Sequence, residues 1–493
     1  MSACVGCGFV QDFSDAQPCS DDPRRQLEAL ETEISRVEGL LAKLVQKRVP
    51  LKRNINRHYS PMLSLPVELC SEIFTTCFPP GRDSWESGSP LVLGQVCTAW
   101  RNLAWSMPWL WNTVFLQSSK PTSTHVELLE EWIARSHNLP LAIHLKLDVA
   151  RVESMRDMTS IMDVFARCSK RWRTVDFDVP IFFPHDTYLC NLAPTQFPQL
   201  TSLSLRVGCV NTHLDMFLAA PQLHDVQLSG FPQDSFTLPW AQITHLRLCP
   251  TTVQQCLSLL GSTPNLTHCT LENITRSDVL NPSPVLAQHL QSLSVISFTH
   301  IPLSELLDAL LLPAVHTLSF HVTGNTFPHW SFVSLIARSG CTLEHLALNA
   351  VRISEWQLWE CLQAVPTLRV LELTDLDRVT NDTIRVLNPQ NRALLGGPSP
   401  RCLLPSLRAF TYTGGMEVNM LSMAHTLYSR WMEVDEDDPI LGVDKVERLC
   451  EWKFATTARV SVDADGKACV TCMEKLAREG MVMSLVTMDG KWI

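Results

Sequence analysis

One spacing recurs ten times along this chain and constrains its architecture more tightly than any other feature: apolar-x-x-apolar-x-apolar. It occurs at Trp172/Val175/Phe177, Leu200/Leu203/Leu205, Leu223/Val226/Leu228, Ile243/Leu246/Leu248, Leu266/Cys269/Leu271, Leu290/Leu293/Val295, Val315/Leu318/Phe320, Leu343/Leu346/Leu348, Leu368/Leu371/Leu373 and Leu407/Phe410/Tyr412. Successive starts lie 20 to 28 residues apart, except for a last gap of 39. The alternation inside each unit is that of a short strand. The stretches between, such as HLDMFLAAP, VQQCLSLLGSTP, SELLDALLLP and EWQLWECLQAVP, read as helices stopped by a proline. A period of this length marks supersecondary units that bury their apolar faces only by stacking on one another. An ordinary α/β domain with a parallel sheet shares the strand-helix alternation but not the near-constant period.

A strand has two faces, so the spacing also predicts a surface. With the first, fourth and sixth positions turned to the core, the third, fifth and seventh line the other face. That face holds Arg206, Asp225, Gln227, His245, Arg247, His268, Glu272, His321, His345, Asn349, Glu372 and Thr374. Arg206, His245, Arg247, His268, Glu272, His321, His345 and Glu372 are its candidate partner-binding residues. His245, His268 and His345 occupy the same position of their units, the first two in consecutive ones. Stacked strands set such side chains in a row about 5 Å apart, whereas a metal needs three or four converging ligands, so no metal or cofactor is expected.

The units resemble leucine-rich repeats. The resemblance implies a solenoid of class α/β, with parallel strands on the concave face and helices outside. The asparagine that usually follows the third apolar position is largely missing, Asn349 and Asn273 being rough candidates, so the repeats are divergent. Pro389, Gly396, Gly397, Pro398 and Pro400 in the long last gap read as a loop.

Upstream, between Leu63 and Trp111, LSLPVELCSEIF is followed by VCTAWRNLAW and MPWLW. Ser64 is placed to cap a helix whose first turn holds Pro66, which lacks the amide hydrogen that turn cannot use, and Glu68, which favours the positive helix end. Leu65, Leu69, Ile73 and Phe74 recur at helical spacing, and a second helix supplies Val96, Trp100, Leu103 and Ala104. Two helices of this size bury little apolar surface alone, so Leu65 and Pro66 are expected to cover themselves on another protein. A helix packed only within its own domain is the simpler alternative. The order Leu65, Pro66, Glu68, Leu69, Ile73, Phe74, Val96, Cys97, Trp100, Arg101, Pro108, Trp109, Trp111 resembles an F-box, the module that docks a protein onto the Skp-type adaptor of a cullin-based ubiquitin ligase. The resemblance implies that Leu65, Pro66, Leu69, Ile73, Val96 and Trp100 engage or support the adaptor, that cullin joins the complex, and that the repeats capture a protein substrate.

Before this module Leu27, Leu30, Ile34, Val37, Leu41 and Leu44 alternate steps of three and four, a heptad seam flanked by Glu31, Glu33 and Glu38 and closed by Pro50. Its length favours a helix folded back on the F-box over a weak coiled-coil dimer, and the protein is expected to be a monomer within the complex. Fungal F-box-like proteins often carry such a helix directly upstream. The expected organisation is a flexible N-terminus over 1–22, an amphipathic helix or short coiled coil over 23–58, the F-box over 59–115, the repeats over 116–430, and a C-terminal element with an acidic loop over 431–493.

A chain of 493 residues, 45% hydrophobic and 18% charged, can bury a large core. Its formal net charge of −10 argues against nucleic acid as a general partner. With neither a signal peptide nor a membrane span in view, a cytoplasmic or nuclear location is expected, and no membrane partner. The 18 cysteines are scattered, as free thiols in a reducing compartment would be. Cys4/Cys7 and Cys469/Cys472 form Cys-x-x-Cys pairs, but nearly the whole chain separates them, and incidental thiols are the simpler reading. The chain has no nucleophile elbow, phosphate loop or zinc-protease helix, so an interaction protein is expected rather than an enzyme.

Overall fold

The computed structural model describes residues 2–3, 10–11, 23–59, 61–77, 90–147, 155–179, 197–207, 215–230, 237–275, 283–297, 303–324, 326–376, 379–391, 402–432, 446–458, 460–461, 466–487 and 490–491. Cys4 and Cys7, the acidic stretch beginning at Glu433, and Gly396 to Pro400 lie outside them. The chain forms two units, Met1–Trp111 and Asn112–Ile493.

The first unit is helical. Helix α1 spans Pro23–Tyr59 and runs on through Pro50, nine residues beyond the proline expected to close it. Leu27, Leu30, Ile34, Val37, Leu41 and Leu44 are between 48% and 59% exposed, so α1 is not folded back on the module that follows. That module comprises a turn at Pro61–Ser64, α2 (Val67–Cys77), α3 (Leu91–Val96) and α4 (Thr98–Trp105). Ser64 does not cap α2; its hydroxyl donates to the Pro61 carbonyl inside the turn, at 2.6 Å. The single second helix expected through Val96 and Trp100 is broken at Cys97, whose extended backbone (φ −161°, ψ 170°) separates α3 from α4. The Cys97 sulfur accepts from the Trp100 amide at 3.5 Å and so caps α4, a position where an acceptor side chain satisfies an otherwise orphaned N–H.

The second unit is an α/β structure built on one large sheet. Its strands are β1 (Thr113–Ser118), β2 (Leu141–Leu147), β3 (Trp172–Val179), β4 (Ser202–Val207), β5 (Asp225–Ser229), β6 (His245–Cys249), β7 (His268–Glu272), β8 (Ser292–Ser297), β9 (Thr317–Val322), β10 (His345–Asn349), β11 (Val370–Thr374), β12 (Ala409–Gly414), β13 (Glu451–Thr456), β14 (Val482–Thr487) and β15 (Gly490–Lys491). Each pairs with the next in chain order, and every pairing is parallel except the closing β14–β15 hairpin. Helices cross between some of the strands, among them α5 (Ser123–Arg135), α6 (Met155–Arg167), α7 (Val253–Ser262), α8 (Leu303–Ala309), α9 (His329–Ser339), α10 (Glu355–Gln363), α11 (Asn381–Val386), α12 (Met420–Trp431) and α13 (Gly466–Arg478). HLDMFLAAP is not one of them: Asp215–Ala220 forms only turns.

The sheet is longer than the ten units at both ends. It begins at Thr113, inside the range expected for the helical module, because Val114 and Leu116 alternate with Thr113 and Phe115 as a half-buried strand does. It ends beyond 430, because Trp452 and Phe454 continue the buried rows of the preceding strand: Phe410 lies 4.4 Å from Trp452 and Tyr412 4.8 Å from Phe454 between ring centroids. The segment 431–493, expected to be a separate element, thus supplies β13, β14 and β15. The fourth and sixth positions are buried in every unit from β4 to β12, and the first-position residues from Leu200 to Leu407 are buried with them.

Arginines tie one coil to the one before. Arg171 donates to the Leu139 carbonyl at 3.0 Å, and Arg338 donates to the carbonyls of Leu307 and Leu310. The strongest case is Arg430 on α12, only 2% exposed, which donates to Leu387 O at 2.7 Å, Leu404 O at 2.8 Å and Leu403 O at 2.6 Å. Burial pushes its pKa down, yet a guanidinium keeps its proton. Arg430→Ala would remove the guanidinium bonds to three buried carbonyls, of which Leu404 O keeps the Leu407 amide and Leu403 O the Cys402 thiol. Since an unmet buried group costs about 1–3 kcal/mol, a loss on the order of 2 kcal/mol is expected in urea unfolding followed by circular dichroism.

Candidate protein-interaction surfaces

The helical module has two apolar faces. One is internal: Cys70 and Phe74 of α2 are buried, and the Phe74 ring lies 5.2 Å from Trp100. The module is further tied by the Trp111 indole N–H, which donates to Ala104 O at 2.8 Å, and by Arg101, which donates to Gly94 O at 2.8 Å and lies over the Trp105 ring. A β-carbon at Gly94 would meet Trp105 at 3.4 Å, so the small residue lets that indole close on α3. The other face is open. Leu65, Leu69 and Ile73, four residues apart, are 38%, 46% and 40% exposed, Pro66 is exposed, and Val96 at the end of α3 is 55% exposed.

Of the six residues singled out on sequence, five are therefore on the surface, and Trp100 is half-buried against Phe74 behind them. Sequence reading put Phe74 on the same stripe as Leu65 and Leu69, whereas the helix turns it inward. It passed over Val67 and Val92 and gave Trp109 only as part of the motif, and all three are also exposed. Val67 lies two residues from the stripe, and period alone would not have found it.

The second surface is the uncovered face of the sheet. Asp225 is registered with His245, His245 with His268, His268 with Ser292, Ser292 with Thr317, and Thr317 with His345. Residues of the fifth and seventh positions form parallel rows beside this one. The imidazoles of His245 and His268 stack at 4.5 Å with 6° between their planes, and each Nδ1 lies 2.9 Å from the hydroxyl of the preceding threonine, Thr244 or Thr267. His345 stands apart from the stack, with β8 and β9 between, and its Nε2 lies 3.4 Å from Glu372. Arg247 pairs with Glu272 at 3.3 Å, and Arg206 with Asp178 at 2.9 Å. His321 is registered with Asn349 on the seventh-position row.

The face extends onto strands that sequence reading left out. Phe115 and His144 stack at 4.5 Å, and His144 lies 3.5 Å from Asp176, which also accepts from Ser204 at 2.7 Å. Burial opposes charge on Asp176, but the bonds from His144 and Ser204 outweigh it and hold its carboxyl below the ordinary range. Such exposed pairs each contribute little to stability; what they supply is a fixed array of polar groups.

Among the described residues no group of three or more His, Cys, Asp or Glu is arranged to hold a metal ion. Cys469 is buried and Cys472 half-buried on α13, and burial pushes the Cys472 thiol up, away from the thiolate that redox chemistry uses. Burial likewise raises Cys256 and Cys361 to about 12, as for thiols that serve as packing atoms. No described helix is long and apolar enough to cross a membrane.

Burial, and next to it the charges of His245 and His316, hold the His268 imidazole below its ordinary value of 6.5. The unfolded chain therefore binds this proton first, so stability falls as pH drops through the ordinary histidine range and levels off below the folded-state value. His268→Asn should flatten that part of the pH dependence in urea unfolding run on either side of the range. A scan of the chain against protein-family models finds no match, and a search of curated proteins finds no similar sequence.

Proposed function

We propose that this protein is the substrate-recognition subunit of a cullin-RING ubiquitin ligase of the SCF type, with an F-box in its helical unit and divergent leucine-rich repeats in its sheet unit. The observation that supports this best is the double-faced helix α2. Cys70 and Phe74 face inward, while Leu65, Leu69 and Ile73 leave an apolar stripe open beside Pro66, and Val96 is exposed at the end of α3. A soluble protein rarely leaves such a patch uncovered unless a partner covers it. In this reading the stripe binds a Skp-type adaptor, Trp100 supports it from behind, and cullin is held through the adaptor.

The polar face of the sheet, with Arg206, His245, Arg247, His268, Glu272, His321, His345 and Glu372, receives the protein substrate. The chemistry of ubiquitin transfer takes place on other subunits. This chain contributes position, raising the effective concentration of a substrate lysine near the conjugating enzyme. A non-catalytic repeat scaffold whose F-box serves no ligase uses the same two surfaces. Cullin recovered with the full chain from its host favours the ligase.

The direct test is calorimetry of the full chain with the host's Skp-type adaptor. A one-to-one complex is expected, lost when Leu65→Ala and Pro66→Ala are combined, with the far-ultraviolet spectrum unchanged. Binding that survives in the double variant would reject the assignment of the stripe.

A further inference from the structure

The longest helix among the described residues has no role in the reading above. Helix α1 is 37 residues long, and the apolar residues along it are exposed. Because it continues through Pro50, the seam is longer than its sequence suggested. With Leu27 as position a of a heptad, the a and d positions from 27 to 55 are Leu27, Leu30, Ile34, Val37, Leu41, Leu44, Arg48, Leu51 and Ile55, and the apolar ones are all about half exposed. Arg48 is the single polar residue among them, of the kind that fixes register at a cost in stability.

Past Arg24 and Arg25 in its first turn, the charges along α1 are sorted. Residues 28–38 carry Glu28, Glu31, Glu33 and Glu38 against one cation, Arg36, which is bound to Glu33 at 2.7 Å. Residues 43–53 carry Lys43, Lys47, Arg48, Lys52 and Arg53 and no carboxylate. The helix dipole favours this polarity only within the first and last turns, and here the sorting runs through the middle of the helix.

Sorted charge decides orientation. In a parallel, in-register pair the flanking g and e positions would set Glu33 against Glu38 and Lys47 against Lys52, which is repulsive at both ends. An antiparallel pair centred on Gly39 matches Leu27 with Leu51, Leu30 with Arg48, Ile34 with Leu44 and Val37 with Leu41. Glu28, Glu31 and Glu33 then lie along the basic half of the other helix, with Glu33 and Lys47 facing on the flanking g positions, while Glu38 stands at the centre and Arg25 meets Arg53 at the ends. The seam is complementary to itself in one orientation, and that identifies its occupant.

We infer that α1 forms an antiparallel two-helix coiled coil with α1 of a second copy of this chain, making the protein a homodimer independently of any adaptor. The inference rests on α1 alone and does not require the ubiquitin-ligase reading.

The full chain should sediment as a dimer in low salt and dissociate progressively as salt is raised. A zero-length carbodiimide cross-linker followed by peptide mass spectrometry reads the orientation. Within one helix Glu33 and Lys47 are about 21 Å apart at 1.5 Å per residue, so a Glu33–Lys47 link can form only between two antiparallel copies. Mixing isotopically light and heavy chains should give the mixed-mass form of that link. Ile34→Glu combined with Leu41→Glu should yield a monomer, as should Lys43→Glu, Lys47→Glu and Lys52→Glu together. Adding Glu31→Lys, Glu33→Lys and Glu38→Lys to the latter set exchanges the two halves and should restore the dimer. A monomeric full chain, or a dimer that gives no Glu33–Lys47 link, would overturn the inference, and so would failure of the exchanged variant to dimerise.

Discussion

Everything in the larger unit follows from a parallel sheet that is covered on one face. Parallel strands are usually buried on both sides and read as continuous apolar runs. Here β2 to β13 alternate buried with part-exposed positions, so intervening segments cover one face and the other presents its side chains outward. Because each strand pairs only with the strands before and after it, a side chain's neighbours on that face are set by its position within its unit. The His245–His268 stack and the Arg247–Glu272 and His345–Glu372 pairs are direct products of that register.

The two candidate surfaces differ in physical character, and the proposed roles use that difference. The stripe of Leu65, Leu69 and Ile73 is apolar, and a complex built on it would depend weakly on salt and tightly on shape. The sheet face is an array of paired and hydroxylic groups, which gives discrimination between partners more than raw affinity, because a wrong partner leaves polar groups unmatched. A receptor needs both kinds, one for a constant partner and one for a selected one.

The repeat was legible because three apolar positions at fixed offsets carry both strand and core. In two of the units that were missed, a particular residue interrupts it. Before β2, Pro140 stands where the first apolar position would be, and the register shifts at Leu141/Ala142. Before β14 the place belongs to Gly480, whose φ of 110° suits a turn. Leu449/Trp452/Phe454 does keep the spacing, but it lies far beyond the usual period from Leu407 and was passed over for that reason. In the helical module the composition of the stripe was readable and its direction was not. Phe74 and Ile73 are adjacent in sequence, and only the packing of Trp100 decides which one faces inward. Pro50 and Cys97 misled for one reason: local propensity gives the tendency of a residue, and the helix α1 and the α3–α4 break follow the wider structure instead.

The buried Arg430 has a consequence for the order in which this chain assembles. Most coils close loops of similar, modest length, so neighbouring units can form in any sequence and propagate. The coils from β11 to β12 and from β12 to β13 are the longer exceptions, and their closure costs more chain entropy. Arg430 sharpens that cost into a threshold. A guanidinium leaves water favourably only when Leu387, Leu403 and Leu404 already present their carbonyls, so a half-closed coil gains nothing from it. The joint between β11 and β12 should therefore be the kinetic seam of the sheet, where two separately grown stacks meet late and lock together in one step.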